Sequence, residues 1–271
     1  MFLPRLAFVI ACMIPAVAAQ AHEYWLEAEE YQVQPGEKLA VDLRNGQLFE
    51  GTRQAYIENR TTRYDAAFNG VIAPVEARMG DRPAYQAAAP DQDGLLVIAH
   101  EAAPSSLTYT EWEKFLTFAN HKDFPNAAAD HAAAGYSQEK FKETYTRHSK
   151  ALIAVGEGTG SDMALGLQTE LIALKNPYTD DLNGEMAVAL TYQDAPRRDA
   201  QVEVYERNAD SAVTVTKYRT DDVGIARFPV SAGMTYLVDS VVLRPSPVVG
   251  ETPDSPVWET LWASLTFAVP E

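Results

Sequence analysis

The sequence predicts a mainly β protein: two antiparallel β-sandwich domains, the C-terminal one immunoglobulin-like or transthyretin-like, with a helical excursion inside the first. Three observations carry this. Apolar residues recur in short alternating runs, as in Leu39-Ala-Val-Asp-Leu-Arg44. Turn pairs such as Asn45-Gly46, Asn69-Gly70 and Asn183-Gly184 separate those runs. Between Tyr109 and His148, in contrast, apolar residues fall at helical spacing.

The chain opens on Arg5 and an apolar run, Leu6 to Val17, too short to span a bilayer and ending in Ala19-Gln20-Ala21. This is the pattern of a secretory signal peptide, residues 1–21, cut after Ala21, which sends a soluble protein to the periplasm. Val9-Ile10-Ala11-Cys12 loosely resembles a lipobox that would acylate Cys12. That reading leaves an unusually short apolar region and makes the Ala-x-Ala site redundant, so cleavage after Ala21 is preferred. His22 is then the first residue of the mature chain.

The first domain, 22–158, reads as strands around Leu39–Arg44, Gln54–Ile57, Arg63–Phe68, Val71–Ala77 and Leu95–Ala99. Asn69-Gly70 predicts a two-residue hairpin between the third and fourth. The excursion, 109–148, starts with a helix capped by Thr110 and carrying Trp112, Phe115, Leu116 and Ala119 on one face. His121 to Gly135 reads as a loop. A second helix is predicted from Ser137, with Phe141 and Tyr145 an i, i+4 pair and His148 near its C-terminus. Lys150–Val155 then returns as a strand. Gly156-Glu-Gly-Thr-Gly-Ser161 lacks the Gly-Lys-Ser/Thr ending of a phosphate loop and reads as a flexible linker. The second domain, 159–271, follows with seven short strands: Thr169–Leu174, Met186–Tyr192, Ala200–Arg207, Val213–Arg219, one ending near Val230, Tyr236–Leu243 and Leu261–Val269.

Composition narrows the function. With 38 Asp and Glu against 22 Lys and Arg, the net charge of −16 argues against nucleic-acid binding. Cys12 is the only cysteine, so the mature chain has no disulfide and no thiolate ligand. Any metal must be held by nitrogen and oxygen.

The five histidines are His22, His100, His121, His131 and His148, and none follows His148. As an N-terminal residue, His22 brings its α-amine and imidazole together as a chelating pair for a nitrogen-preferring metal. The other four are candidate further ligands, two or more of them converging on His22. Each also has a plainer role: His100 beside Glu101 at a strand end, His121 in a polar loop, His131 in a small-residue stretch, His148 stabilised by a helix C-terminus. There is no His-Glu-x-x-His helix and no Gly-x-Ser-x-Gly elbow. Trp25, Trp112, Trp258 and Trp262 stand among apolar residues and read as core, not as a sugar platform.

The opening His22-Glu-Tyr-Trp-Leu-Glu27 resembles the Ala-His-Asp/Glu-Phe/Trp-Trp-Leu start of a bacterial exported domain-of-unknown-function family, described as the periplasmic component of nickel or cobalt uptake systems. Further matching pieces are Phe141-Lys-Glu-Thr-Tyr-Thr-Arg-His-Ser-Lys-Ala-Leu152, Leu171-Ile-Ala-Leu-Lys-Asn-Pro177, Asp222-x-Gly224-x-Ala226-x-Phe228 and Trp258-Glu-Thr-Leu-Trp-Ala-Ser-Leu-Thr-Phe267. The resemblance runs over essentially the whole chain after residue 21. It implies an exported protein that handles a divalent transition metal (nickel, cobalt or copper), with a membrane metal transporter as partner. His22 and His148 lie on matching pieces; His100, His121 and His131 do not.

The expectation is therefore a periplasmic metal-binding protein that captures and delivers without covalent chemistry. The alternatives are a copper oxidase or oxygenase built on an N-terminal histidine brace, and a metal-free carbohydrate or protein interaction module.

Overall fold

The computed structural model describes residues 22–271, and the signal-peptide reading of residues 1–21 lies outside the described residues. The chain is mainly β, with several antiparallel sheets and a small helical part, as the sequence predicts. The elements are β1 Glu23–Ala28, β2 Gln32–Val33, β3 Lys38–Gln47, β4 Glu50–Gln54, β5 Thr61–Phe68, β6 Val71–Pro74, β7 Tyr85–Ala88, β8 Gly94–Ala102 and β9 Ser105–Tyr109. Helices α1 Trp112–His121 and α2 Ala127–Ala133 follow, then β10 Phe141–Val155 and β11 Thr169–Ala173. The rest is β12 Glu185–Tyr192, β13 Ala195–Pro196, β14 Gln201–Arg207, β15 Val213–Arg219, β16 Ile225–Pro229, β17 Thr235–Pro245 and β18 Trp258–Ala268. No helix of the described residues is long and apolar enough to cross a membrane.

A 10-stranded sheet forms the centre, in the order β15-β14-β17-β18-β10-β8-β5-β6, with β2 and β9 also paired to β10. Its middle is a parallel pair, β10 beside β18, in register from Glu143 against Trp258 to Ala151 against Thr266. Because side chains alternate along a strand, each face of this sheet has its own partner. One face carries Leu96, Ile98, Ala151, Ile153 and Val155 and packs on the sheet of β1, β3, β4 and β7. Farther along that face, Phe141, Val241, Trp258 and Trp262 pack on α1 through Phe115, Phe118 and Ala119. The opposite face carries Val97, Leu152, Val204, Val238, Ala263 and Leu265 and packs on β11, β12 and β16.

Phe141–Val155 is one long strand, which corrects the expected helix from Ser137. Phe141, Tyr145 and His148 are spaced as on a helix, but Phe141, Glu143, Tyr145, Arg147 and Ser149 equally share one strand face. Pairing to β9 and β18 decides between the two patterns. The second helix lies earlier, in the alanine-rich stretch expected to be a loop, where Ala127 and His131 are buried. Helix α1 forms as predicted, one residue later than its expected cap. The Asn69-Gly70 hairpin also forms, both residues at positive φ. Gly156–Ser161, read as a flexible linker, is held at two carbonyls: the Asn176 side-chain amide donates to Gly158 O at 2.7 Å and Gly160 O at 2.9 Å.

Strand β1 pairs on one edge only, with β3. The carbonyls of its other edge meet donors from the central sheet. Arg147 Nη2 donates to His22 O at 3.2 Å, Ser149 and Ser264 hydroxyls donate to Tyr24 O, and Thr266 Oγ1 donates to Leu26 O at 2.7 Å. A row of Arg, Ser and Thr thus takes the place of a neighbouring strand and fixes where the chain emerges. Thr266 is fully buried. We expect Thr266→Val, which keeps the shape and removes the hydroxyl, to lower stability by about 1–3 kcal/mol in urea unfolding, the cost of an unpaired buried carbonyl.

Candidate functional site

The five histidines occupy separate environments. Among the described residues, no three His, Cys, Asp or Glu side chains are grouped as a metal ion would need. His22 is exposed at the start of β1. His100 and His148 are both buried but face opposite sides of the central sheet, because His100 stands over Tyr64 on the β1 side and His148 shares the parity of Lys150 and Leu152. His148 is therefore mid-strand and not at a helix end. His131 is enclosed by Trp112, Phe115, Tyr136, Phe141 and Trp258. His121 ends α1, with Nε2 3.1 Å from Glu203 Oε1.

Hydrogen-bond partners fix the tautomers of three rings. Trp258 Nε1 donates to His131 Nδ1 at 3.0 Å, so His131 donates from Nε2 to Ser137 O at 3.1 Å. His148 donates from Nδ1 to Trp262 O at 3.0 Å, leaving a buried Nε2 without a partner. At His100 the Tyr24 hydroxyl, 3.4 Å away, donates to Nδ1. His100 Nε2 donates to Thr61 Oγ1 at 3.0 Å, and Thr61 passes its own proton to Ile57 O at 3.2 Å. Burial pushes all three imidazoles below the usual histidine range, His100 to about 3.

His100 closes one end of a cleft of about 610 Å³. Its walls come from β1, β3, the 3₁₀ turn at Glu58–Arg60, β8–β9 and β10, and include Tyr24, Asn45, Arg60, Arg82, Ser105, Ser106, Tyr145 and Arg147. Arg147 lies over the rings of Tyr24 and Tyr145, its carbon 5.7 Å and 4.5 Å from their centroids, and reaches the His22 carbonyl. The start of β1 therefore stands at the wall of this cleft.

A second assembly was invisible in the sequence because its members are far apart in the chain. Lys122 is buried just past α1, with Nζ 2.6 Å from Glu203 Oε2, 2.9 Å from Asp239 Oδ2 and 4.0 Å from Glu23 Oε1. The single Tyr205 hydroxyl proton lies between Glu203 Oε2 at 2.8 Å and Glu23 Oε1 at 3.1 Å. Burial lowers the ammonium's proton affinity, but Asp239, Glu203 and Glu23 outweigh that and keep it charged. Burial pushes Glu23 up to about 7, against the pull of Lys122. Burial also raises Glu203, yet bonds from His121 and Lys122 win, and its carboxyl stays well below the usual range. Here a lysine holds the position that a cation would take between three carboxylates.

A family profile described as "Domain of unknown function (DUF4198)" matches residues 19–243. No curated protein matches the chain. Among solved structures, the D0-D1 domain of Intimin aligns at 13% identity over 90% of this chain and 97% of that one, with a TM-score of 0.20. A tetra-tandem repeat from the extending region of a large adhesion protein aligns at 9% identity over 92% of this chain, which spans half of that structure, with a TM-score of 0.22.

Two outcomes are expected from these environments. Lys122→Ala leaves three buried carboxylates without their cation and should cost about 3–5 kcal/mol in urea unfolding. His100 binds its proton less tightly folded than unfolded, so its contribution is fully present above about pH 6.5 and is lost as pH falls toward 3. In that window His100→Gln should remove up to one proton's worth of slope, about 1.4 kcal/mol per pH unit, from the wild-type stability curve.

Proposed function

The chain belongs to the family described as Domain of unknown function (DUF4198), and on that premise we propose that it is an exported capture protein for a divalent transition metal, nickel, cobalt or copper, held at the His22 terminus. The observation that carries the reading is the tethering of that terminus. The His22 carbonyl is held by Arg147, and from Glu23 on the strand is in register with β3. After cleavage at Ala21, the α-amine and imidazole of His22 form a two-nitrogen chelate at a fixed position, with the imidazole of an exposed residue free to bind.

His100, His131 and His148 are not ligands in this reading, because their rings are buried and bonded to neighbours. His121 is engaged by Glu203. The chain therefore supplies two donors, and the metal's other positions are taken by water or by ligands that arrive with it. Such an open, weakly held site suits capture and release to a membrane transporter, and asks for no covalent step.

Calorimetric titration of nickel, cobalt and copper tests this on three forms: residues 22–271, the same chain with one alanine added before His22, and His22→Ala. We expect binding to the first and a marked loss in the other two, since an amide nitrogen is a poor donor and a lone amine forms no chelate ring. Equal affinity in all three rules the terminus out.

A further inference from the structure

The cleft next to that terminus has a charge character opposite to the rest of the molecule. In a chain of net charge −16, it is lined by three arginines, Arg60, Arg82 and Arg147, and by no Asp or Glu. Of the other two clefts described, one is lined by Asp123 and Asp130 and the other by Asp180 and Asp181. Glu101, next to His100 in sequence, projects to the opposite face of the central sheet, as strand alternation requires.

The three guanidiniums are also unspent. Elsewhere most arginines are paired: Arg53 with Asp42, Arg63 with Asp65, Arg207 with Glu27, Arg219 with Asp199 and Arg244 with Glu259. Arg60 and Arg82 make no side-chain hydrogen bond or ion pair among the described residues. Arg147 bonds only a backbone carbonyl, and its Nε is buried without an acceptor. A buried N–H lacking an acceptor is costly, and an acceptor from outside relieves that cost. Of the remaining polar wall, Ser105, Ser106 and Asn45 offer hydroxyl and amide donors. The volume suits a metabolite-sized ligand.

We propose that this cleft binds a small, multiply charged oxyanion, bridged by Arg60, Arg82 and Arg147. Guanidinium forks match planar carboxylates and phosphate oxygens bidentately, which a lysine does not. The acidic remainder of the protein opposes such a ligand only weakly, since charges beyond a Debye length of about 8 Å are screened at physiological ionic strength. This site is independent of the metal at His22.

The test is calorimetric titration of metal-free protein with citrate and, separately, with inorganic phosphate. We expect one-to-one binding of at least one of them, weakened by added salt. Arg60→Ala and Arg82→Ala should each weaken it about tenfold or more. Both side chains are exposed and without partners, so these variants keep the fold, which circular dichroism checks. Arg227→Ala, on a strand of the opposite layer, should bind as the wild type does. Stronger binding of citrate assigns a carboxylate ligand, and stronger binding of phosphate a phosphoryl one. The titration uses metal-free protein, so a failed metal titration leaves this result standing. The proposal is overturned if neither anion binds at millimolar concentration, or if Arg60→Ala and Arg82→Ala lose no more than Arg227→Ala.

Discussion

The structure depends on the parallel pairing of β10 with β18. A parallel pair cannot be closed by a hairpin, so all the chain between them must leave the sheet and come back. That excursion builds the whole layer of β11, β12 and β16, together with the strands β14, β15 and β17 that extend the central sheet. Joining the two strands also makes one wall serve two cores. Alternate residues of β10 and β18 face opposite layers, so Ala151 and Ile153 belong to one core while Leu152 belongs to the other. Polar residues of this pair are buried on both sides, as Glu143, Ser149 and Thr260 are on one and His148 and Lys150 on the other. Glu143 receives the hydroxyls of Tyr109 and Thr260.

Both faces use the same electrostatic arrangement. On the β1 side Lys122 sits among Glu203, Asp239 and Glu23; on the other side Lys150 sits between Asp162 and Glu170, 2.7 Å and 3.0 Å away. Neither ammonium is accessible to solvent. Such clusters add little net stability over apolar packing, but they tolerate few alternative arrangements. Glu170 shows what this specificity does. Besides Lys150 it accepts the backbone N–H groups of Leu165, Gly166 and Leu167, and so shapes the loop that leads into β11.

Local signals were legible in the sequence, and long-range ones were not. Asn69-Gly70 specifies its hairpin through two residues that accept positive φ. Val213–Arg219 and Thr169–Ala173 form strands where the sequence places them, although the first is mostly exposed and the second almost wholly buried. The helix expected from Ser137 to His148 fails because polar Glu143, Thr146 and His148 are buried, so hydrophobic periodicity does not report which faces are inside, whereas Lys150–Val155 is the strand expected. The histidines are a related case. Their one-sided placement in a chain without thiols points to a ligand set, while the structure buries His100, His131 and His148 and bonds their rings to neighbours. Nothing in one sequence separates a buried imidazole from a ligating one. The arginine cleft was equally hidden: Arg60, Arg82 and Arg147 come from a short turn, a loop and a central strand, with no common motif.

One of those arginines, Arg147, is engaged by the same edge that fixes the terminus. Strand β1 has no strand neighbour on one side, and its carbonyls require donors there. Serine and threonine hydroxyls meet that need at Tyr24 and Leu26, but at His22 the donor is the longer arm of Arg147. A short side chain at position 147 would close the gap with packing. An arginine spans it with a charge, leaves Nε unpaired, and puts that charge at the wall of a cavity. The tyrosines on either side, Tyr24 and Tyr145, hold the guanidinium by their ring faces and not by a carboxylate. Glu143 and Asp239 feel its charge, but no carboxylate bonds it directly. The donor for the strand edge and a cation at the cleft wall are thus one residue, which is why the two candidate sites lie side by side.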